Sequence, residues 1–448
     1  MLTVILPTSL LGTETFDYRL MEVDSYPTTQ ETSYKSYGLQ ELYRHAMKTS
    51  EVIKISEEDI FIAQQQKMKT IAAIMPKLSA FYTYTRYNRD KTVSGGMVMQ
   101  PESSIIGGIR LDESLSLGGV ELKTIDIAEK TIEKNTYNYR AITEEYLYAV
   151  ASAFYDYLKA KKAEEIAQAN VERLKLYLEA AEIKLKIGEV TKTFLLRANT
   201  ELSTAMSEVL RAQNEREIKK AALKNVAGIA GDFDVIETPP PTHDFSGCLV
   251  DGIECFTQVA LKERNEIKSH STKRDIAQKV IESAKGSFWP TISIEGVLLK
   301  KDDTPGWLFN NTDTAYASIK LSYPFYDGGA RKAELREAMA KQRQSELAIE
   351  SLKKSISLDV RSSCLNYITQ RGIIQSLTDA LTYATDNYSS VKRQFDAGIA
   401  TSLDVMDANN LLATSQRRLS DAVYSYEMAH LRLKRSMGIF LSAIEHHF

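Results

Sequence analysis

The feature that most constrains this chain is a pair of very long segments that almost nothing interrupts. The segment from Val120 to Ile187 contains neither proline nor glycine, and the segment from Ala330 to Ala397 contains only Gly372. At 1.5 Å per residue, each segment would form a helix roughly 100 Å long. Such helices are not stable singly, because their apolar stripes need partners, as in a coiled coil. The sequence therefore predicts long helices that pack against one another.

The two segments belong to an internal repeat, which is the pattern to seek first in a long chain. Each half is predicted to contain a helix, two strands and a hairpin of two long helices. Three glycines of the first half have counterparts 210 residues further along the chain; the pairs are Gly118 and Gly328, Gly188 and Gly398, and Gly228 and Gly438. This spacing predicts two tandem structural repeats.

The repeats define the organisation of the chain. Three prolines and the absence of periodicity indicate extended backbone in the linker between the two halves. The predicted segments are an N-terminal extension or signal remnant (1–35), a first repeat (36–230), the linker (231–256), a second repeat (257–440) and a C-terminal tail (441–448).

Two features outside the helices leave alternatives open. The N-terminal "MLTVILPTSLLG" has the apolar character of a signal peptide but not its basic region. It is therefore either the remnant of a signal or the start of the mature chain. Cys248 and Cys255 in the linker form either a disulfide, which would suit an oxidising compartment, or two free thiols.

Each half also contains two segments in which apolar and polar residues alternate with period two. After Pro290, Ile292 and Ile294 alternate with Ser293 and Glu295. The lengths of these segments suit strands that cross a bilayer at a tilt, with one face toward lipid and a charged face toward water. A soluble β-sandwich is the other interpretation. The predicted strand pairs are 77–90 with 103–117, and 291–301 with 315–327.

The composition restricts any route through a membrane. No stretch approaches the about 18 consecutive apolar residues that a membrane-spanning helix needs. Passage through a bilayer would therefore require strands closed into a barrel, because an open sheet edge leaves backbone groups unpaired in lipid. Four strands per chain cannot close such a barrel, whereas three copies supply twelve. The net charge of −3 and the pI near 6.2 give no reason to expect a nucleic-acid partner.

In the order and spacing of these features, the chain resembles the outer-membrane efflux protein family, the TolC-like channels. The resemblance covers roughly residues 36–440. The residues that carry it are "LGG" at 117–119 and "DGG" at 327–329, Pro76 and Pro290 before the strands, the turns "IGEVT" and "AGIATSLDVMDA", and the terminal "AGI" and "MGI".

The resemblance implies both an architecture and a function. It implies an α+β membrane protein, a homotrimer whose twelve-stranded β-barrel, with four strands per protomer, lies in the lipid of the bacterial outer membrane. The barrel would continue as an α-helical coiled-coil tunnel in the periplasm. Such channels are passive exit ducts for multidrug efflux or type I secretion. They act with a periplasmic adaptor (membrane fusion) protein and an inner-membrane pump of the RND or ABC type, and need no cofactor.

The resemblance also assigns roles to the hairpin tips near residues 188 and 398, at the periplasmic end of the tunnel. Asp404 and Asp407 share one helix face, so in a trimer they would form rings of carboxylates that favour cations and respond to pH. Capping of the second helix, together with Thr401, is the alternative role of Asp404. The candidate adaptor-docking residues, whose alternative role is simply to form the turns, are Gly188, Glu189, Thr191, Gly398, Ile399 and Thr401.

One departure from the family concerns a polar lock, in which an Asp of the first hairpin acts with an Arg and a Tyr of the second. At the matching positions this chain has Phe194, Ala400 and Phe395. The polar lock is absent, and closure is expected to depend on other contacts, apolar ones among them.

No catalytic, nucleotide-binding or metal-binding pattern is found in the sequence, so an enzyme is not predicted. His45, His243, His270 and His430 are scattered, without metal-ligand spacing to cysteines or acids. A structural coiled-coil scaffold with small β caps and no pore is the alternative function. The repeated strand pairs, with one apolar and one charged face, favour the channel.

Overall fold

The structure is a computed structural model that describes residues 35–93, 98–237, 252–305 and 313–445. Within these ranges, both halves of the chain pass from short helices through a pair of strands into a hairpin of two long helices. The elements of the first half are β1 (Lys35–Tyr37), α1 (Leu39–Thr49), α2 (Glu51–Ala72), β2 (Lys77–Arg86), β3 (Lys91–Thr92), β4 (Val98–Gln100), β5 (Ser103–Ser116), α3 (Val120–Lys186) and α4 (Lys192–Ala227).

The second half follows the same order after the short strand β6 (Phe233–Val235). Its elements are α5 (Ile253–Glu263), α6 (Asn265–Gly286), β7 (Thr291–Thr304), β8 (Asp313–Ser322), α7 (Ala330–Asp396), α8 (Ser402–Ser436) and α9 (Phe440–Glu445). The helices α3 and α7 are each 67 residues long. Both begin directly after a Gly-Gly pair and pack along the shorter helix that follows, so each forms one arm of a long hairpin.

The four longer strands form one antiparallel sheet in the order β2-β5-β7-β8. The two halves of the chain meet between β5 and β7, which pair from Ser103 opposite Thr304 to Ser116 opposite Thr291. The sheet is therefore a joint product of both halves, and it lies at the end of the long helices where they begin.

The two outer strands of this sheet, β2 and β8, are offset from each other along the strand direction. β2 pairs with residues 103–112 of β5, which are opposite residues 295–304 of β7. β8 pairs with residues 291–300 of β7. The two outer strands are thus displaced from each other by four residues along the strand direction.

The two faces of the sheet differ in chemistry, as the period-two pattern predicts. On one face, Leu78 is opposite Leu111, and Ile109 is opposite Leu298. On the other face, Arg110 contacts two acids: its Nε lies 2.8 Å from Oδ1 of Asp112, and its terminal nitrogen lies 2.6 Å from Oε2 of Glu295. One face of the sheet therefore carries a row of apolar side chains, and the other carries ion pairs.

The apolar core lies midway along the long helices. Phe154 of α3, Phe233 of β6 and Phe440 of α9 are buried in one cluster, beside the parallel pair of β1 and β6. A second cluster packs Phe256 of α5 against Leu433 of α8. These clusters hold the helices together at their middle and leave the sheet and the hairpin tips at opposite ends.

Several boundaries differ from the sequence-based expectations. Each helix that precedes a strand pair is in fact two helices, because Ser50 and Arg264 have extended backbones. The strand predicted over 315–327 ends at Ser322. The tail predicted over 441–448 forms most of α9, which buries Phe440, Leu441 and Ile444.

Two of the three cysteines, Cys255 and Cys364, lie in the described part of the chain. Cys255 in α5 is disulfide-bonded, and Cys364 is a buried free thiol. Cys248 lies outside the described residues, as do residues 1–34, so its pairing with Cys255 stays a prediction. In the described part of the chain, no helix is both long enough and apolar enough to cross a bilayer.

Candidate functional site

The candidate site is the pair of hairpin tips, where each long helix ends at a glycine with positive φ. Gly188 has φ 80° and Gly398 has φ 77°. The N–H of Glu189 donates to the carbonyl of Lys184 at 2.9 Å, and the N–H of Ile399 donates to the carbonyl of Gln394 at 2.8 Å. These bonds close Schellman motifs, which favour glycine at the left-handed position. The two tips are therefore built in the same way.

The helices that follow the tips begin differently. The N-cap of α8, Thr401, accepts a hydrogen bond at Oγ1 from the N–H of Asp404 at 3.3 Å. In return, Oδ2 of Asp404 accepts from the N–H of Thr401 at 2.8 Å. Thr191, the N-cap of α4, makes no side-chain capping bond; the N–H of Phe194 donates to the Thr191 carbonyl at 3.0 Å, and Phe194 has no carboxylate to reciprocate. Asp404 therefore completes a capping box that only the second tip has.

The two acids proposed for the aperture lie on the exposed side of α8. Asp404 and Asp407 are exposed, whereas Val405, Met406 and Asn409 between and after them are buried. The hydrogen bonds from Oγ1 and the N–H of Thr401 lower the pKa of Asp404. Within a single protomer this acid is therefore held in its charged form, and the carboxylate rings stay a prediction.

A cluster of aromatic rings joins the two tips, and sequence reasoning did not identify it. Phe194 of α4 stacks on Phe395 of α7, with ring centroids 5.8 Å apart and ring planes 6° from parallel. Tyr177 of α3 lies against both rings, at 5.7 Å from each. The sequence did contain a clue to this cluster, because Phe194 and Phe395 occupy two positions of the family's polar lock.

A lysine completes the contact between the hairpins. Nζ of Lys184 lies 4.2 Å from the centroid of the Phe395 ring and donates to the Phe395 carbonyl at 3.1 Å. That carbonyl also accepts from the N–H of Gly398 at 3.0 Å and lies in the last turn of α7, where a cation is favourable. Lys184 therefore stabilises the end of a helix that belongs to the other hairpin.

An open groove of about 570 Å³ lies between the tips. Some of the predicted docking residues line it, whereas Gly188 and Ile399 are not among its lining residues. The lining residues that were predicted to dock the adaptor are Glu189, Thr191, Gly398 and Thr401. No group of acids, histidines or cysteines suited to holding a metal ion occurs among the residues that the structure describes.

The fold and the tips can be compared with known proteins. The family model described as outer membrane efflux protein matches residues 46–229 and, a second time, residues 256–439. The chain belongs to the outer membrane efflux protein family. The two matched ranges begin and end 210 residues apart, as the glycine spacing does. The predicted family is therefore confirmed, and with it the outer membrane as the place of the protein.

Individual members of the outer membrane efflux protein family are distant in sequence. Outer membrane protein TolC of Escherichia coli K12 is 20% identical over 414 residues, which cover 90% of this chain and 82% of that protein. TolC of Vibrio cholerae is 21% identical over 319 residues, covering 70% of this chain and 72% of that protein.

Solved structures share the fold. The MtrE outer membrane channel of Neisseria gonorrhoeae, described in its open state, superimposes with a TM-score of 0.76 at 20% identity, covering 90% of this chain and 89% of that chain. The CmeC outer membrane channel of Campylobacter jejuni gives 0.75 at 17% identity, covering 90% and 86%. At these identities the likeness concerns the fold alone. It is the fold of the TolC-like channels.

Proposed function

We propose that three copies of this chain form a passive exit duct through the outer membrane. Each copy would contribute its four-stranded sheet to a twelve-stranded barrel and its two helical hairpins to a tunnel in the periplasm. The duct would carry small molecules or proteins from an inner-membrane pump of the RND or ABC type to the exterior. It belongs to a tripartite efflux system or a type I secretion system, in which a periplasmic adaptor joins the pump to the duct.

The observation that carries this proposal is the apolar face of the sheet. Leu78, Leu298 and Ile319 are 72%, 60% and 77% exposed, on the face opposite the Arg110 ion pairs. A row of exposed apolar side chains of this size marks a surface that another apolar medium covers. With charged groups on the reverse side, lipid outside and water inside satisfy both faces.

The edges of the sheet support the trimer. In the described part of the chain, β2 and β8 each pair with a neighbour on one side only. Unpaired strand edges are unfavourable in water and more so in lipid. Pairing β8 of one copy with β2 of the next removes every edge once the ring closes. A coiled-coil scaffold without a pore would leave the edges and the apolar face unaccounted for.

The tips support the position of the aperture. They lie at the far end of the 67-residue helices from the sheet, roughly 100 Å away at 1.5 Å per residue. Asp404 and Asp407 are exposed there and would form the carboxylate rings. The groove between the tips, with Glu189, Thr191 and Thr401, is the proposed adaptor-docking surface.

Reconstitution of the purified protein in a planar lipid bilayer tests the proposal. We expect a trimer that requires detergent for solubility and that conducts ions in stepwise single-channel events. A protein that stays monodisperse without detergent and conducts nothing would be the scaffold instead. Deletion of the gene is expected to make the cell sensitive to exported compounds or to stop the secretion of a protein.

A further inference from the structure

The second half of the chain bends between α5 and α6 at a buried arginine. Arg264 has an extended backbone and is 9% exposed. Its guanidinium donates to Oε1 of Glu266 at 2.9 Å and to Oδ2 of Asp359 in α7 at 3.0 Å. We name Arg264, Glu266 and Asp359 the charged bend. The corresponding bend of the first half has a neutral cap, because the hydroxyl of Ser50 accepts from the N–H of Ile53 at 3.3 Å.

The end of α8 lies directly on the charged bend. Gly438 has φ 72°, and a Cβ atom at this position would lie 2.8 Å from the Cα atom of Arg264. The short helix α9 begins two residues later and buries Phe440, Leu441 and Ile444. Because backbone packs on backbone at Gly438, the position of α9 depends on the position of the charged bend.

A buried acid of α3, Glu144, lies between the charged bend and α9. Glu144 is 5% exposed, and its Oε1 atom is buried without a hydrogen bond to any residue that the structure describes. Its carboxyl group is repelled by Glu266, whereas the N–H of Leu441 and the charges of Arg264 and Arg435 attract it. A carboxylate without a donor at one oxygen is costly when it is charged and buried.

Neither arginine is left to neutralise Glu144. Arg264 pairs with two acids, as described, and Arg435 of α8 pairs with Glu145 and lies 5.0 Å from the centroid of the Tyr148 ring. In the described part of the chain, Glu144 forms no ion pair with either arginine. The titratable and charged groups of this cluster are Glu144, Glu145 and Tyr148 of α3, Arg264 and Glu266 at the bend, Asp359 of α7 and Arg435 of α8.

The cluster therefore contains four acids and two arginines, and one of the acids is deeply buried. Burial, and then the charge of Glu266, raise the pKa of Glu144 from its ordinary value of 4.5 to about 7. Glu266 differs, since its hydrogen bonds to Arg264 and the charge of that arginine outweigh burial and lower its pKa. Only one of these two neighbouring acids is thus prepared to take up a proton near neutral pH.

We propose that Glu144 is a proton-binding site that holds α9 and the charged bend against α3 when it is protonated and loosens both when it is ionised. An opening of this joint would place Glu144 in water, where its pKa returns to about 4.5. The closed joint then binds a proton that the open joint has lost, so closure weakens as pH rises from about 4.5 to about 7. Local openings of this kind involve single elements and leave the rest of the fold intact.

Hydrogen exchange of the purified full chain between pH 5 and pH 8 tests the proposal, after correction for the intrinsic effect of pH on amide exchange. Two amides report on the joint: the N–H of Ala443 in α9 donates to the carbonyl of Ile439 at 3.0 Å, and the N–H of Lys268 donates to the carbonyl of Arg264 at 3.3 Å. We expect the protection of residues 443–445 and of residue 268 to fall together by at least about tenfold between pH 5 and pH 8.

Substitution of the acid separates titration from packing. Glu144→Gln keeps the shape of the side chain but cannot ionise, so both reporters should stay protected and independent of pH. Glu427→Gln is the matched control, because Glu427 is also a buried acid whose pKa burial raises to about 7, and it lies about two turns before Arg435 along α8. That variant should keep the response of the wild type. A pH response that survives in Glu144→Gln would overturn the proposal.

A second variant decides the question even if Glu144→Gln fails to fold. Glu266→Gln removes the like charge and releases one partner of Arg264, and both changes favour ionised Glu144. The midpoint of the exchange response should therefore move to lower pH, whereas an unchanged midpoint would refute the role of Glu144. None of these measurements requires transport, so the proton site and the proposed channel function stand or fall separately.

Discussion

The backbones of Gly118 and Gly286 are in direct contact where the sheet meets the helices. A Cβ atom on Gly118 would overlap the carbonyl oxygen of Gly286, and one on Gly286 would lie 2.7 Å from the carbonyl oxygen of Gly118. Beside this contact, the N–H of Leu117 donates to the carbonyl of Pro290 at 3.0 Å. Backbone atoms cannot swing aside as a flexible side chain can. The contact therefore fixes how α3 leaves the sheet.

Gly118→Ala should destabilise the folded protein, since the methyl group can fit only if α6 moves. Overpacking of this kind costs about 1–3 kcal/mol. The midpoint of thermal unfolding, followed by circular dichroism, measures the effect. Gly372→Ala is the matched control, because Gly372 is helical with no atom near its Cβ position. That change is expected to stabilise the helix by about 0.5–1 kcal/mol, and equal effects of both changes would contradict the contact.

Thr401→Ala should weaken the start of α8, because it removes the hydroxyl that accepts from the N–H of Asp404. The expected cost is about 1 kcal/mol. Faster amide hydrogen exchange at Asp404 and Val405 would report it. Thr191→Ala at the corresponding N-cap of α4 should have little effect, since Thr191 makes no side-chain capping bond. Equal sensitivity of the two tips would show that the capping box contributes nothing.

If the proposed carboxylate rings form, Asp404→Ala combined with Asp407→Ala should reduce a preference of the channel for cations. Rings of carboxylates concentrate cations at a constriction, and alanine removes the charge. Reversal potentials in a planar bilayer under a salt gradient measure the preference. Asp396→Ala, at an exposed acid on the other side of the turn, serves as the control. An unchanged reversal potential in the double variant would exclude the rings.

Glu427→Gln should stabilise the protein above neutral pH. Burial raises the pKa of Glu427 from its ordinary value of 4.5 to about 7. The folded state then binds a proton that the unfolded state has lost, so stability falls as pH rises from about 4.5 to 7 and stays low above it. The upper limit of this loss is on the order of 3 kcal/mol.

Unfolding midpoints between pH 4 and pH 9 test this prediction. The wild type and Glu427→Gln should converge at pH 4 and diverge above pH 7, with the variant the more stable. Glu334→Gln, at an exposed position of α7, should follow the wild type throughout. A constant difference at every pH would indicate a packing effect in place of titration.

The long helices and their tips were predictable from the sequence, for a physical reason. A long run without helix breakers allows a continuous helix, and a left-handed turn favours glycine, so Gly188 and Gly398 indicate where α3 and α7 end. The strand pairs were predictable in the same way from period-two alternation. The interruption at Ser50 was not, because serine is tolerated within helices and its extended backbone is fixed by a capping bond from the N–H of Ile53.

Other features depend on contacts between distant segments. The end of β8 was predicted too late in the sequence, because the apolar Tyr323 and Phe325 continue the period-two alternation. In the structure, these residues belong to the turn before α7, in which Arg331 donates a hydrogen bond to Asp327. The cluster of Tyr177, Phe194 and Phe395 was missed because Tyr177 and Phe395 are far apart in the sequence. The periodicity of a single sequence indicates which face of a helix is apolar, but not which side chains of other helices pack against that face.

The four-residue displacement between β2 and β8 has a geometric consequence. A sheet whose outer strands are level can close only into a tube with strands parallel to its axis, whereas a sheared sheet must close with its strands inclined. In the proposed trimer, each copy that pairs its β2 with the β8 of a neighbour would add to this offset. In the proposed trimer, part of the inclination of the barrel wall would therefore come from one protomer, from the pairing of Lys77 with Asp112 and of Thr291 with Ser322.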